Sequence, residues 1–573
     1  MKKSLHAFMS MFFLAFLVPG LTLAAAKYID APPLTEVIKT RVGQVKSGEV
    51  MLPLITWGAD IRTIYANGNS RNTRSGSLFA KQGLSISLQR EDDFKKQIEN
   101  YLSGKTPYLR GTLGMINMAS EVLNRDARTK PVIIYQLSES AGGDALVVKS
   151  GIKNAAGLRG KTIALQAYGP HVDYLSKILF DAGLSIKDVK LKWLPDLTGS
   201  KNTPMEALYE SSVDAAMVIT PDALALTSGG TVGTGSEDSV RGARILLSTK
   251  TANRIIADVY AVRSDYFKSN KKSVAKLVHA LMQARDQVDK LVANKAADAN
   301  AYREMMRNSA DILLGSKEAV ADAEGLFGDA YHVDYNDNVR FFSDANYPRN
   351  FNNRNSEIQL ALKQLGLLKK AVPLQQANWN YKDFTQGLSD IAKTESSRFD
   401  AGNVASIVAK KQQQGTLQEG ELFSFSVYFK PNQNSFPVNL YEDAFKKVTS
   451  LASTYGGAVI TIEGHSDPLE YLRKKKQGAS SLILKRLKQS SKNLSLTRSN
   501  AVRDAVLEYA KSKHIVLDPS QFATVGHGFD KPKTGMCGAD PCAPKTEQEW
   551  RDNMRVEFRI IQVEAESEVF KPL

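Results

Sequence analysis

Cysteine is nearly absent from this chain. Its 573 residues include two, Cys537 and Cys542, both in "MCGADPCAP". A zinc site built on paired C-x2-C motifs is excluded, because the spacing is wrong and no second pair exists. Two thiols this close in an exported loop read as a disulfide. Long apolar runs are also missing beyond the N-terminus, so no later segment is expected to cross a bilayer. Acid is in deficit: 60 Asp and Glu face 75 Lys and Arg, a net charge of +15. Such a balance favours acidic partners, whether nucleic acid, an anionic envelope polymer or a membrane surface.

What is present narrows that choice. The opening "MKKSLHAFMSMFFLAFLVPGLTLAAAK" has a basic start, an apolar run, Pro19-Gly20 and then small residues. That is the layout of a secretory signal peptide, expected over residues 1–26. Its run is short for a membrane span. An exported protein of the periplasm is expected, which sets nucleic acid aside as a partner. The length exceeds what one hydrophobic core supports, so two or more domains are expected.

From about residue 52 to 388, β-rich runs alternate with amphipathic helical stretches. "PVIIYQL" (131–137), "KTIALQ" (161–166), "VKLKWL" (189–194) and "VDAAMVI" (213–219) read as strands. "HVDYLSKILFDAG" (171–183) and the stretch 273–294 carry apolar residues at helical spacing. Alternation of this kind predicts an α/β fold with largely parallel sheets. Residues 392–421 are polar and Gln-rich and read as a short helical or irregular linker. A smaller unit follows, 422–573, in the order β-α-β-α-β-β.

Four pieces of that last unit, "FKPNQNSF" (429–436), "IEGHSD" (462–467), "LSLTRSNAV" (494–502) and "NMRVEFRI" (553–560), occur in the order of the OmpA-like peptidoglycan-binding domain. The unit resembles that family over nearly its whole length. The resemblance implies a non-covalent attachment to peptidoglycan through diaminopimelate, whose side chain is a zwitterion. Asp467 would meet the ammonium and Arg498, in the first turns of a helix, the carboxylate. A planar guanidinium can give a carboxylate two parallel hydrogen bonds. Ser466, Asn432, Asn553 and Arg555 fall on positions that line or brace the pocket. The chain departs from the family pattern at Ser491, where Asn is usual, and at Ser499, where Ala is usual. It also separates Asp467 from Arg498 by 31 positions, about twice the expected spacing.

The extra segment, 470–492, holds eight basic residues against Glu470. It reads either as a contact for an anionic envelope surface or as a solvated helical insertion packed locally through Leu482, Ile483 and Leu487. His465 and His527 both follow a glycine. Neither has a second ligand at i, i+4, so no metal is expected there. A Ser466–His465 dyad is disfavoured because strand neighbours point to opposite faces. His465 is expected to be hydrogen-bonded beside the pocket.

Residues 27–391 are expected to form one domain, which from about residue 50 to 390, through "GIKNAAGLRGKTIALQAYGPHVDYLSKILFDAGLSIKDVKLKWL" (151–194), "VDAAMVITPDALAL" (213–226) and "TWGADIRTIYANG" (56–68), resembles the periplasmic solute-binding proteins of ABC importers. The nitrate, sulfonate and taurine type is the nearest group. The resemblance implies a two-lobed type II periplasmic-binding-protein fold, with ligand between the lobes at strand ends and helix starts. On that basis Trp57, Asp60, Asn117, Asp144, Gln166, Tyr168, His171 and Asp222 are the cleft candidates. They suit a small polar or zwitterionic solute. Arg110 could face the cleft or the surface. An inner-membrane ABC permease would be the implied partner. Thiamine-pyrimidine synthases share the fold but use a Cys-rich motif that this unit lacks, so no enzyme and no cofactor are expected. A wall-anchored structural or sensory scaffold with a degenerate cleft is the alternative.

Overall fold

The computed structural model describes residues 26–562, apart from 47, 200, 237, 390, 392–400, 419, 430–432 and 434–435. The expected leader therefore lies outside the described residues, except Ala26.

Residues 26–391 build two five-stranded sheets and a parallel pair of strands, Val50–Leu54 with Ile86–Arg90. The four expected strands all form, as Pro131–Ser140, Thr162–Gln166, Lys190–Leu194 and Ala215–Ile219. Their pairing differs from the parallel sheets expected. In one sheet Ala257–Arg263 runs antiparallel to both Tyr108–Thr112 and Pro131–Ser140. In the other, Thr162–Gln166 is parallel to its two neighbours, whereas Asp144–Val148 is antiparallel to Ala215–Ile219 and to Arg244–Ser248. The cause is local. The short Ala141–Gly143 turn, with Gly142 at φ +155°, passes the chain from Pro131–Ser140 in one sheet to Asp144–Val148 in the other without a helical crossover.

The last unit is a four-stranded sheet in the order Glu421–Tyr428, Arg555–Gln562, Ala458–His465, Phe522–Gly528. The first two pairings are antiparallel and the last is parallel. Helix Ser481–Ser512 lies directly on this sheet. The glycines of "IEGH" and "VGHG" allow it: a Cβ on Gly464 would sit 2.1 Å from the Ser495 carbonyl oxygen, and one on Gly526 2.6 Å from that of Lys492. Arg498 is therefore five turns into a long helix rather than in its first turns, because the inserted residues extend the helix at its N-terminal end.

Part of the expected linker also belongs to this unit. Helix Ala401–Gln414 places Val404 and Val408 against Val459, Ala523, Val525 and Ile561. The unit packs on residues 26–391 through Gly457 N–H to the Thr251 carbonyl (3.1 Å) and Tyr455 Oη to Asp181 (2.8 Å). The basic segment forms helix Leu469–Lys476 and the first turns of Ser481–Ser512. Of the residues that the local-packing reading would bury, Leu482 and Ile483 are exposed and Leu487 is half-buried, and Lys475 and Lys492 pair with Asp540 and Asp530. Cys537 and Cys542 form a disulfide across a two-residue β-ladder.

Candidate functional site

Strand Ala458–His465, paired on both sides within the sheet, is followed by Ser466, whose N–H reaches the Gly528 carbonyl at 2.8 Å. Asp467 follows. Its Oδ2 accepts from Leu469 N–H at 2.8 Å, at the start of helix Leu469–Lys476. Its Oδ1 is buried without a hydrogen-bond partner. Burial pushes this carboxyl above its ordinary value, against the pull of the Leu469 amide, Trp550 and Asn553.

Arg498 is 4 % exposed, with its guanidinium 4.8 Å from the Phe429 ring centre. Its Nε has no partner, and among the described residues no carboxylate lies within ion-pair distance of it. Burial lowers its pKa. Phe429 N–H meets the Met554 carbonyl at 3.4 Å, and Asn553 contacts Asp467. Asp467 thus neighbours Asn553, while Arg498 reaches the adjoining Met554 only through Phe429, whose ring it faces and whose backbone pairs with Met554. Asn553 is fully buried and Oδ1 accepts from Lys533 N–H at 2.7 Å, which makes it a brace. Arg555 donates to Glu557 (3.2 Å) and to the Lys531 carbonyl (3.3 Å). Ser466 donates to the Ser491 carbonyl on the long helix (3.3 Å). Asn432 lies outside the described residues. His465, expected to be hydrogen-bonded, is buried with Nε2 3.4 Å from Glu557 Oε2 and, among the described residues, no partner for Nδ1.

In the first unit, Trp57 Nε1 donates to Ser138 (3.0 Å), Ser138 to Asp258 (2.9 Å), and Arg110 bridges Asp258 and Asp60 (2.8 Å each). All of this chain except Trp57 is buried. Burial pushes the Asp60 carboxyl up to about 7 against the pull of Arg110. Beside it, Ser140 donates to Asp144 (2.6 Å), which also meets His171 Nε2 (2.7 Å). The Trp57 ring closes over Gly143, where a Cβ would be 2.5 Å away. Asp222 is pushed up to about 6 by burial, against the electrostatic pull of His171. Asp329, which sequence reasoning missed, borders Gly142 and is also pushed up to about 6 by burial.

Trp57, Asp60, Asp144, His171 and Asp222 are thus brought together. Three candidates are not. Asn117 is buried within helix Leu113–Met118, bonded to Gln359 and to the Leu113 carbonyl. Tyr168, at φ +60°, directs its hydroxyl to the Pro32 carbonyl (2.7 Å). Gln166 folds over Gly169, whose missing Cβ leaves room for its side chain. Each side chain is spent on a nearby backbone or helix contact that the loop position alone did not reveal.

Asp173 is a further buried acid, unpartnered at Oδ1. Burial pushes it up to about 7. The folded chain therefore keeps a proton that the unfolded chain, with an ordinary pKa near ~3.9, releases earlier. The associated stability is fully present below about pH 4 and is lost as pH rises through about 7. Asp60, Asp222 and Asp329 act in the same direction. Asp173→Asn should make the decline from about pH 5 to pH 8 shallower, by on the order of a few kcal/mol. Urea midpoints at the two pH values check this, and parallel declines in both proteins would contradict it.

A family model described as NMT1/THI5 like matches residues 74–290. No curated protein matches the chain. Among solved structures, the periplasmic aliphatic sulphonate-binding protein SsuA of Escherichia coli is 14% identical, over 62% of this chain and 96% of that chain, with a TM-score of 0.39. The alkanesulfonate-binding protein SsuA of Xanthomonas axonopodis pv. citri, bound to MOPS, is 15% identical over 58% and 100%, with a TM-score of 0.38. The desulfurization enzyme DSZB is 18% identical over 59% and 96%, with a TM-score of 0.34.

Proposed function

We propose that this protein is an exported, non-catalytic solute-binding protein that holds itself to peptidoglycan through diaminopimelate. The observation that carries the attachment is a pair of mostly buried charges, Asp467 and Arg498, that the described residues leave incompletely satisfied. Among the described residues Arg498 has no carboxylate partner, and the Oδ1 of Asp467 is buried without a well-formed hydrogen bond. Leaving such groups unpaired costs free energy that a zwitterionic ligand offsets, its carboxylate on Arg498 and its ammonium on Asp467. Retention on protein-free peptidoglycan, compared with Arg498 and Asp467 variants, tests this reading. The basic helices beside the pocket offer a supplementary contact to anionic envelope material.

The solute reading rests on the acids around the Ala141–Gly143 turn. Asp144, Asp222 and Asp329 gather there against His171 and Lys250, with Asp60, Arg110 and Asp258 adjacent. That balance favours an amine-bearing solute over a plain sulfonate. Thermal-shift screening should show the melting temperature rising with small amines or zwitterions and unmoved by alkanesulfonates. A rise with sulfonates alone would reverse the assignment. An ABC permease is the implied recipient. A degenerate cleft on a wall-bound scaffold is favoured if no member of either class shifts the melting point.

A further inference from the structure

His465 and His527 are 62 positions apart in sequence and meet on paired strands. Ala458–His465 and Phe522–Gly528 run parallel, with Gly464 opposite Gly526 and a register shift just beyond. That shift lets the two imidazoles stack, with ring centres 4.9 Å apart. Glu463 presents Oε2 to His527 Nε2 at 2.8 Å. One donor atom from each of Glu463, His465 and His527 lies within 4.8 Å of the others, and the three residues are 0, 1 and 3 % exposed. Glu557 Oε2 stands 3.4 Å from His465 Nε2.

The surroundings are arranged as outer partners. Arg559 holds Glu463 Oε1 (2.8 Å) and Arg555 holds Glu557 Oε1 (3.2 Å), so each carboxylate turns Oε2 toward an imidazole. Arg559 also touches Glu557 Oε2 (3.2 Å) and pairs with Glu421. Three carboxylates and two guanidiniums leave one net negative charge beside two imidazoles. Among the described residues neither nitrogen of His465 makes a well-formed hydrogen bond: Nδ1 is buried without a partner, and Nε2 meets only Glu557, at 3.4 Å. Ordinary core histidines satisfy at least one.

We propose that Glu463, His465 and His527, with Glu557 as fourth ligand, bind one divalent transition-metal ion of the zinc class. Two imidazoles and carboxylate oxygens suit that class, and bonds of about 2.0–2.2 Å require the donors to draw in by roughly 1 Å. The ion clasps the two parallel strands beneath Ser466 and Asp467. Helical spacing does not reveal this site, because its ligands come from neighbouring strands. The inference is independent of the peptidoglycan and solute readings.

The full chain, stripped with chelator and dialysed, is loaded with zinc chloride, desalted and assayed for bound metal by mass spectrometry. One equivalent is expected to remain, with a higher melting temperature. Cobalt(II) should give the visible absorption of a four-coordinate site. His465→Gln and His527→Gln should each weaken retention at least tenfold, whereas exposed His514→Asn should not. Wild-type protein that retains no zinc overturns the proposal without recourse to any variant. Full retention by both glutamine variants does so as well.

Discussion

Arg498→Ala should abolish retention on isolated peptidoglycan while barely changing stability. A catalytic or ion-paired arginine would behave differently. Truncating one member of a buried ion pair strands the other and costs about 3–5 kcal/mol. Arg498 has no carboxylate partner among the described residues, so its removal strands nothing. It forfeits one cation–π contact with Phe429, about 0.5–2 kcal/mol, and relieves the desolvation of a buried guanidinium. The two effects oppose each other. Arg498→Lys should also fail to bind, because a lysine cannot form the paired hydrogen bonds that a guanidinium gives a carboxylate. Asp467→Asn should lose retention too, since the amide no longer attracts an ammonium. Free diaminopimelate should compete. Wild-type retention should survive about 0.5 M salt, which screens the exposed basic helices much more than a buried pair. Undiminished binding by both variants would move the attachment to the basic helices and remove the role assigned to Asp467 and Arg498.

The second large effect concerns the first unit. Arg110→Ala should destabilise it by about 3–5 kcal/mol, measured as a shift of its urea transition. Arg110 is fully buried and holds two buried acids, Asp60 at 0 % and Asp258 at 3 % exposure. Removing it leaves two uncompensated carboxylates in a low-dielectric interior, which respond by taking up protons. The loss should therefore be smaller at about pH 5 than at pH 8, because the variant's acids are more readily neutralised there. Replacing all three by apolar residues of similar size should recover much of the loss. Peptidoglycan retention should persist in the single variant below its first transition. A loss under about 1 kcal/mol at pH 8 would mean that the triad contributes little, the typical outcome for exposed pairs.

Much of the fold was legible from periodicity. The runs at 131–137, 161–166, 189–194 and 213–219 form strands and 171–183 forms a helix, because alternation and helical spacing report which face of a segment is buried. The closeness of Cys537 and Cys542 was enough to anticipate their bond. The glycines of "IEGH" and "VGHG" were read only as neighbours of the two histidines; the close crossing of the helix at Ser495 and Lys492 emerges from the packed structure.

Periodicity says nothing about which distant segments pair. The antiparallel strands at 144–148 and 257–263, the burial of Arg110 between Asp60 and Asp258, and the turn of Tyr168 toward Pro32 are long-range outcomes. Charge type is readable in a sequence, but charge partnership is not. Arg110 and Arg498 look alike in their local strings, yet one is held by two acids and the other by none among the described residues. His465 and His527 became neighbours only through strand pairing. The sequence alone determined the elements and the chemistry available at each position, because local sterics and burial act within a few residues. The tertiary structure decided which groups are satisfied and which remain open to a ligand, because that depends on contacts made across the whole chain.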